Sequence, residues 1–325
     1  MSFAAEISFM SKTSFLSVLL FLQLCVAPAL LGQVMPAPKA EKRAVLFSKL
    51  RESIETAAHD CDCVMAVAVT DLTSGEQILI HPDEVMPQAS SIKIAILAEL
   101  YRQAQAGKLK LTDEYVVRKE DLVDGSDIML GLTPGITRIT LRDLATMMVA
   151  VSDNSATNVL IDRVGMDNVN AMLNSLGLHS TRLRRKMMDL KAAGEGRENV
   201  STAREMSTLL TDIYQGKLLN KELTADYWKM LETGSGDSDS KGSSIVRGLP
   251  GDAEVASKPG ELEAVRNDSG VVFTKNRPFV ISVMTTYDSD EKAAEAAISR
   301  IAARAYSYFD RVGRASDYGR VVSPK

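Results

Sequence analysis

The residue pattern predicts an α+β fold: an antiparallel sheet built from both chain ends, flanked by terminal helices, with an all-helical lobe inserted between its halves. Three observations carry this reading. Short β-rich runs lie near each end of the 325 residues, a mostly helical stretch fills the middle from Pro87 to about Gly234, and a helix lies outside each set of strands, amphipathic at the first end and Ala-rich at the last. A sheet lobe of 41–86 and 250–310 and a helical lobe of 87–249 then form one domain over 41–310. The default place for a site is the cleft between them.

Residues 1–32 stand apart and read as a signal peptide. An apolar run over 15–26 follows Lys12 and precedes the small residues Ala27, Ala29 and Gly32, which resemble a cleavage region. A retained membrane anchor is the lesser reading, because a bilayer span needs about 20 apolar residues. Met10 is expected to be the true start, since Met10-Ser11-Lys12 makes an ordinary charged leader and Glu6 does not. Cys25 follows Leu24, where lipid attachment wants a small residue. The expectation is an exported chain, periplasmic or secreted, with no stable membrane span after cleavage.

Residues 33–40 read as a linker, and 41–58 carry Val45, Leu46, Leu50 and Ile54 near helical spacing. Residues 63–71 and 76–81, joined by Thr73-Ser74-Gly75, predict a hairpin. Residues 91–100 are rich in helix formers. Thr140 with Asp143, and Thr202 with Glu205, have capping-box spacing ahead of apolar helices. Residues 235–244 form a polar, glycine-rich loop. Strands return over 254–258, 270–274 and 278–286, with turns expected at Asn267-Asp268 and at Lys275-Asn276-Arg277. A helix over 290–309 and a polar tail, 311–325, close the chain. No internal repeat is evident.

With 45% hydrophobic and 25% charged residues the chain can bury a full core, so disorder is not expected. The net charge of -4 and dispersed Lys and Arg give nucleic-acid binding little support. Once the leader is removed only Cys61 and Cys63 remain. A bridge between residues two apart is strained, so two half-buried thiols beside a strand are expected. His59 stands beside them, but no second Cys/His cluster completes a metal site, and His59, His81 and His179 lack ligand spacing. Neither metal nor cofactor is implied, and a monomer is expected.

The chemistry-bearing residues form three short signals. Ser90-Ser91-Ile92-Lys93 places a hydroxyl and an amine one helical turn apart at the start of an apolar helix. There, unpaired backbone N–H groups and the helix dipole favour developing negative charge. Ser152-Asp153-Asn154 follows the Thr140-capped helix, and Lys258-Pro259-Gly260 is expected to end a late strand. Each alone is commonplace: a serine at a helix start is usually a cap, and Lys-Pro-Gly is usually a turn. In this order, each at a junction between helical and sheet segments, they are hard to attribute to chance.

The combination resembles the class A serine β-lactamases and their penicillin-binding relatives, with S-x-x-K, S-D-N and K-T-G signatures, over about residues 46–309. The resemblance implies a β-lactamase/transpeptidase-like fold and Ser90 as the acylated nucleophile, with Lys93 hydrogen-bonded to it. Lys93 must be neutral to act as a base, which burial and the second cation Lys258 favour. Ser152 would bridge Lys258 and the leaving nitrogen. Asn154 would bind the substrate's side-chain amide, and the backbone N–H groups of Ser90 and Glu261 would form an oxyanion hole beside Gly260.

Two departures stand out. Met187 and Lys191 occupy the Ω-loop places of the family's water-activating Glu and its Asn partner. Asp189, and Glu195 with Asn199, lie out of register and read as solvated loop residues, while Arg185 and Asn199 would clamp the loop. Pro259 stands where Thr or Ser would give a substrate carboxylate a donor, leaving Lys258 to hold it. The implied function is an exported serine hydrolase opening β-lactam rings with slow or non-standard deacylation. Alternatives are a sensor or binding module acylated without turnover, and a peptidase or esterase on peptidoglycan-like peptides.

Overall fold

The computed structural model describes residues 38–235 and 242–321. The chain separates into two units, Met1–Ala37 and Pro38–Lys325. The leader, the Met10 start, most of the 33–40 linker and residues 236–241 of the polar loop lie outside the described residues.

Helix α1 (Pro38–His59) leads into β1 (Val64–Asp71) and β2 (Gln77–Ile80). After β3 (Met86–Pro87), a 3₁₀ turn, Ala89–Ile92, enters α2 (Lys93–Gln105). β4 (Glu114–Val116) and β5 (Arg138–Thr140) precede α3 (Leu141–Ala150), α4 (Asn154–Val164) and α5 (Met166–Ser175). A long loop holds α6 (Leu190–Gly194) and β6 (Val200–Ser201); α7 (Ala203–Tyr214), α8 (Lys221–Glu232) and α9 (Ser244–Arg247) follow. β7 (Val255–Leu262), β8 (Val265–Val272), β9 (Phe279–Thr286) and α10 (Glu291–Arg314) complete the fold.

The main sheet runs β2-β1-β9-β8-β7, with every neighbouring pair antiparallel. The first and last strand groups of the sequence therefore meet at β1 and β9. Residues of β1 and β9 are almost wholly buried, as expected for central strands covered on both faces. On one face Ile54 of α1 and Ile298, Ile301 and Phe309 of α10 join Val67, Ile281 and Val283 in one core. On the other, α7 leads into a larger core, where Ala66 and Val280 meet the apolar sides of α2, α3, α4 and α8.

Several boundaries differ from expectation. α1 begins within the 33–40 segment read as linker, and α10 runs through Arg314 into the segment read as tail; Val312 is buried, so the apolar stripe outlasts Phe309. Asn267 and Asp268 do not turn. They pair with Gly260 and Pro259 inside β8, and the connection falls at Glu263 and Ala264, the latter at φ 55°. Thr140 and Asp143 form the reciprocal capping box. Thr202 accepts from Glu205 N–H, but the Glu205 carboxylate turns instead to Ser180 N–H and to the Thr181 N–H and hydroxyl.

Cys61 and Cys63 form a disulfide, contrary to the expected free thiols. The backbone explains it: Cys63 N–H donates to Cys61 O at 2.8 Å, folding the chain so that the two Cα atoms lie 5.3 Å apart, inside the range a bridge spans.

Phe309 of α10 stacks on Phe279 of β9, with ring centroids 4.4 Å apart and both side chains fully buried. Phe309→Ala is expected to lower stability by about 3–5 kcal/mol in urea unfolding, through lost burial and the cavity left behind. A loss below about 1 kcal/mol would show that α10 does not anchor the sheet there.

Candidate active site

Ser90 is half-buried in the 3₁₀ turn ahead of α2, not at a side-chain N-cap. Ala89, just before it, has φ 49°, and Ser152 at the α3–α4 junction has φ 58°. Two non-glycine residues in the left-handed region beside one pair of hydroxyls cost on the order of 1–3 kcal/mol each, and such strain gathers where geometry is over-determined.

Lys93 has no exposed surface. Its Nζ donates to Ser152 O at 2.6 Å, Ser152 Oγ at 3.0 Å and Asn154 Oδ1 at 3.1 Å, and Ser152 Oγ lies 2.9 Å from Ser90 Oγ. The amine thus reaches Ser90 through the Ser152 hydroxyl rather than directly. Burial, first, and the Lys258 charge, second, push the Lys93 pKa well below its ordinary value, while Asp153 opposes them.

The partners of Lys93 set how protons can run. Two are carbonyl oxygens, which only accept, and the third is a hydroxyl, which does both. An ammonium gives one proton to each, and Ser152 then donates to Ser90. A neutral amine gives its two protons to the carbonyls and turns its lone pair to the Ser152 hydroxyl. That hydroxyl oxygen is then free to accept the Ser90 proton.

Asp153 holds this junction in place. Its side chain caps α4 by accepting from Ala156 N–H and also accepts from Ile128 and Met129 N–H. Asn154 Nδ2 donates to Asp124 O at 3.2 Å, so both ends of the side chain expected to meet substrate have partners. Gly125 packs so closely on it that a Cβ there would sit 2.6 Å from Asn154 Nδ2.

Lys258, almost fully buried, donates to Pro259 O at 3.0 Å, and Ser152 is not among its partners. The expected Ser152–Lys258 bridge is replaced by the Ser152–Lys93 one. Burial lowers the Lys258 pKa to about 8, against the raising influence of Asp268 and Glu261.

β7 continues through Pro259, rather than ending there as expected, for a backbone reason. Across the ladder from Glu261, Arg266 gives its N–H to Thr285 Oγ1 and its carbonyl accepts from that hydroxyl, so both groups face β9. The Glu261–Arg266 pair is therefore non-hydrogen-bonded, and Glu261 N–H faces the free edge of β7. Pro259, two residues earlier, shares that parity, so its missing N–H removes no ladder bond. The free edge packs on the Ser90 turn: a Cβ at Gly260 would lie 2.8 Å from Ser91 N and 3.0 Å from Ser90 N.

A cleft of about 150 Å³ is lined by Ser90, Asn154, Met187, Met188, Leu190 and Glu261, among others. Met187 is held from α4, where Asn158 Oδ1 accepts from its N–H at 2.8 Å and Asn158 Nδ2 donates to its carbonyl at 3.1 Å. Asn170 clamps Leu183 in the same two-bond manner, at 2.9 and 2.8 Å. Asn199 accepts from Arg184 and Arg185 N–H and donates to Arg185 O, while the Arg185 guanidinium pairs with Glu198 at 2.7 Å. The expected Arg185–Asn199 clamp is thus a backbone clamp beside a separate ion pair. Asp189 caps α6 and Glu195 pairs with Arg197; both are exposed.

Sequence reasoning missed Asn158 and Asn170. Asn158 had a readable signal, four residues beyond Asn154 and so on the same face of α4. Among the described residues, no group of three or more His, Cys, Asp or Glu side chains could hold a metal ion, and no helix is long and apolar enough to cross a membrane.

Residues 49–309 match the family model described as the β-lactamase enzyme family. β-Lactamase SME-1 of Serratia marcescens is 30% identical over 279 residues, covering 83% of this chain and 90% of the relative. A β-lactamase structure from Sphaerobacter thermophilus superposes with a TM-score of 0.71 at 30% identity, covering 80% of this chain and 97% of that one. An ancestral class A β-lactamase gives 0.72 at 27% identity, covering 80% and 100%. Match, identity and shared architecture agree: the chain belongs to the β-lactamase enzyme family and, within it, to the class A group.

Proposed function

We propose that the protein is an exported serine hydrolase that opens β-lactam rings through an acyl-enzyme on Ser90 and releases the acyl group slowly. The observation that carries this reading is the hydrogen-bonded line from buried Lys93 through Ser152 to Ser90. Residues 1–32 carry the export reading.

Neutral Lys93 accepts the Ser152 proton as Ser152 accepts that of Ser90, and Ser90 Oγ attacks the ring carbonyl. The carbonyl oxygen becomes an oxyanion against the N–H groups of Ser90 and Glu261, a contribution of about 3–4 kcal/mol per donor where such donors have been removed. The C–N bond then breaks, and the ring nitrogen takes its proton from Ser152. Lys258 draws the substrate's carboxylate, with no hydroxyl at Pro259 to assist.

Hydrolysis of the ester needs a base for water, and the cleft offers Met187 where relatives carry Glu. An apolar thioether accepts no proton at neutral pH. This observation also favours a second reading, in which the acylated protein acts as a sensor or binding module without turnover. A third keeps the chemistry but assigns peptidoglycan-like peptides or esters.

Intact-mass spectrometry with benzylpenicillin separates these readings. A stoichiometric adduct should form on the wild type and be absent from Ser90→Ala; an adduct on that variant would refute the Ser90 acyl-enzyme. Continuous turnover of a chromogenic cephalosporin supports the first reading, one lasting burst the second, and activity confined to esters or peptides the third.

Met187→Glu places a carboxylate against the ester and should shorten the adduct's lifetime by about 100-fold or more, as a positioned general base does. An unchanged lifetime would show that water, not the base, is missing.

The Lys258 pKa predicts a pH dependence. Below about 8 the amine is charged and attracts a carboxylate; above it the charge is lost. Acylation by benzylpenicillin should therefore fall as pH rises through about 8, while acylation by an ester lacking the carboxylate should not. Parallel profiles would remove Lys258 from substrate binding.

A further inference from the structure

Both cysteines among the described residues and two of the chain's three histidines line one cavity of about 600 Å³, which the acylation chemistry does not use. Cys61, Cys63, His59 and His81 share its wall with Glu55 and Glu84. Its origin is topological. β2 ends at Ile80 opposite Val67, so the first residues of β1, Val64 and Met65, have β9 on one side only, and their open edge backs the cavity. His81, the first residue past β2, has φ 42°, in the left-handed region that turns the chain away from the strand.

The disulfide ring is held at its far point. Ser289 N–H donates to Asp62 O at 3.3 Å, and the Ser289 hydroxyl donates to Asp62 Oδ2 at 2.7 Å. None of these bonds, nor that of Cys63 N–H to Cys61 O, involves the sulfurs. A bridge closing so short a loop removes little chain entropy from the unfolded state, so its contribution to stability is small. Both half-cystines are only half-buried, within reach of an attacking thiolate.

We propose that this cavity is a thiol–disulfide exchange site for small aminothiols. A thiolate attacks one Sγ of the pair, forming a mixed disulfide, and the S–S bond breaks to release the other cysteine as a thiolate. That thiolate accepts hydrogen bonds from the imidazole N–H groups of His59 and His81 on the same wall and takes its proton from solvent. A second thiolate attacks the mixed disulfide, releasing the remaining cysteine and a small-molecule disulfide, so two electrons pass from two thiols to the protein. Glu55 and Glu84 give the wall negative charge and favour a cationic thiol over an anionic one. The folded backbone keeps the reduced pair together for re-closure by the reverse steps.

The test uses the oxidised full chain with cysteamine and, separately, 2-mercaptoethanesulfonate, followed by alkylation and mass spectrometry. Cysteamine should react about fivefold faster, the factor corresponding to about 1 kcal/mol for unit charges some 4 Å apart in water. Glu55→Gln with Glu84→Gln should erase that preference, and His59→Asn with His81→Asn should slow both thiols. Ser90 acylation should be unchanged in all of these variants. Equal rates for the two thiols, or rates matched by a synthetic peptide of residues 59–64, would reduce the feature to an exposed disulfide and overturn the proposal, as would free thiols in the purified protein.

Discussion

The constraint on which the site's arrangement depends is a lysine side chain with no exposed surface. Taking an ammonium out of water costs several kcal/mol unless its protons are met or it gives one up. The fold meets those protons with three acceptors and lowers the Lys93 pKa as well. The α3–α4 junction turns Ser152 into a left-handed conformation, so that its carbonyl and its hydroxyl reach the same Nζ. Asp153 then fastens the junction to α4 and to the segment at Ile128 and Met129. The backbone strain at Ser152 and the burial of Lys93 belong to one arrangement: relaxing the first would leave the second without two of its acceptors.

The free edge of the sheet supplies the opposite wall by a different logic. An edge strand has one set of backbone groups with no ladder partner, which is ordinarily a liability. Here the edge is covered by the Ser90 turn, and Gly260 permits that approach because any side chain would strike backbone atoms of Gln88 and Ser91. Proline at 259 is compatible with the strand for the parity reason that leaves the Glu261 N–H outward. Buried Lys258 lies one residue before it, close enough to Asp268 and Glu261 that both carboxylates partly offset the burial that lowers its pKa.

This division explains what was legible in the sequence. The hairpin of β1 and β2, the capped α3, the closing helix and the antiparallel order drawn from both chain ends rest on periodicity and local capping, which adjacent residues encode. Ser90, Ser152 and Lys258 could be singled out because short motifs fix their residue types. The routing of hydrogen bonds among them could not, because it depends on φ at Ser152 and on which carbonyl each amine meets. Nor could strand limits at β7 and β8: Asn267 and Asp268 have turn-forming character, yet Asn267 caps Thr285 N–H and reaches Pro87 O, and Asp268 is drawn inward by Ser243 and Ile245. Tertiary partners overrode propensity there. The Cys61–Cys63 bridge was missed because the i, i+2 rule assumes an extended backbone, and one hydrogen bond between the two residues removes that assumption.

The loop from Thr181 to Val200 is held in place largely by amide side chains. Its backbone is pinned at three places by asparagine amides, which are neutral and make paired bonds: Asn170 on Leu183, Asn199 on Arg184 and Arg185, Asn158 on Met187. Order in the loop therefore does not rely on a carboxylate facing Ser90, and the position a base would occupy is free to be a thioether. On the proposed reading, the groups that make the ester sit in the 3₁₀ turn before α2, on α2, at the α3–α4 junction and on β7, while the group that would break it belongs to this loop. On that reading the two sets share no side chain, and Met187 lengthens the ester's lifetime without disturbing its formation. Met187, Met188 and Leu190 together give the cleft an apolar stretch of wall beside its polar one. On that reading, slow release follows from one residue of the loop, whose thioether does not activate water.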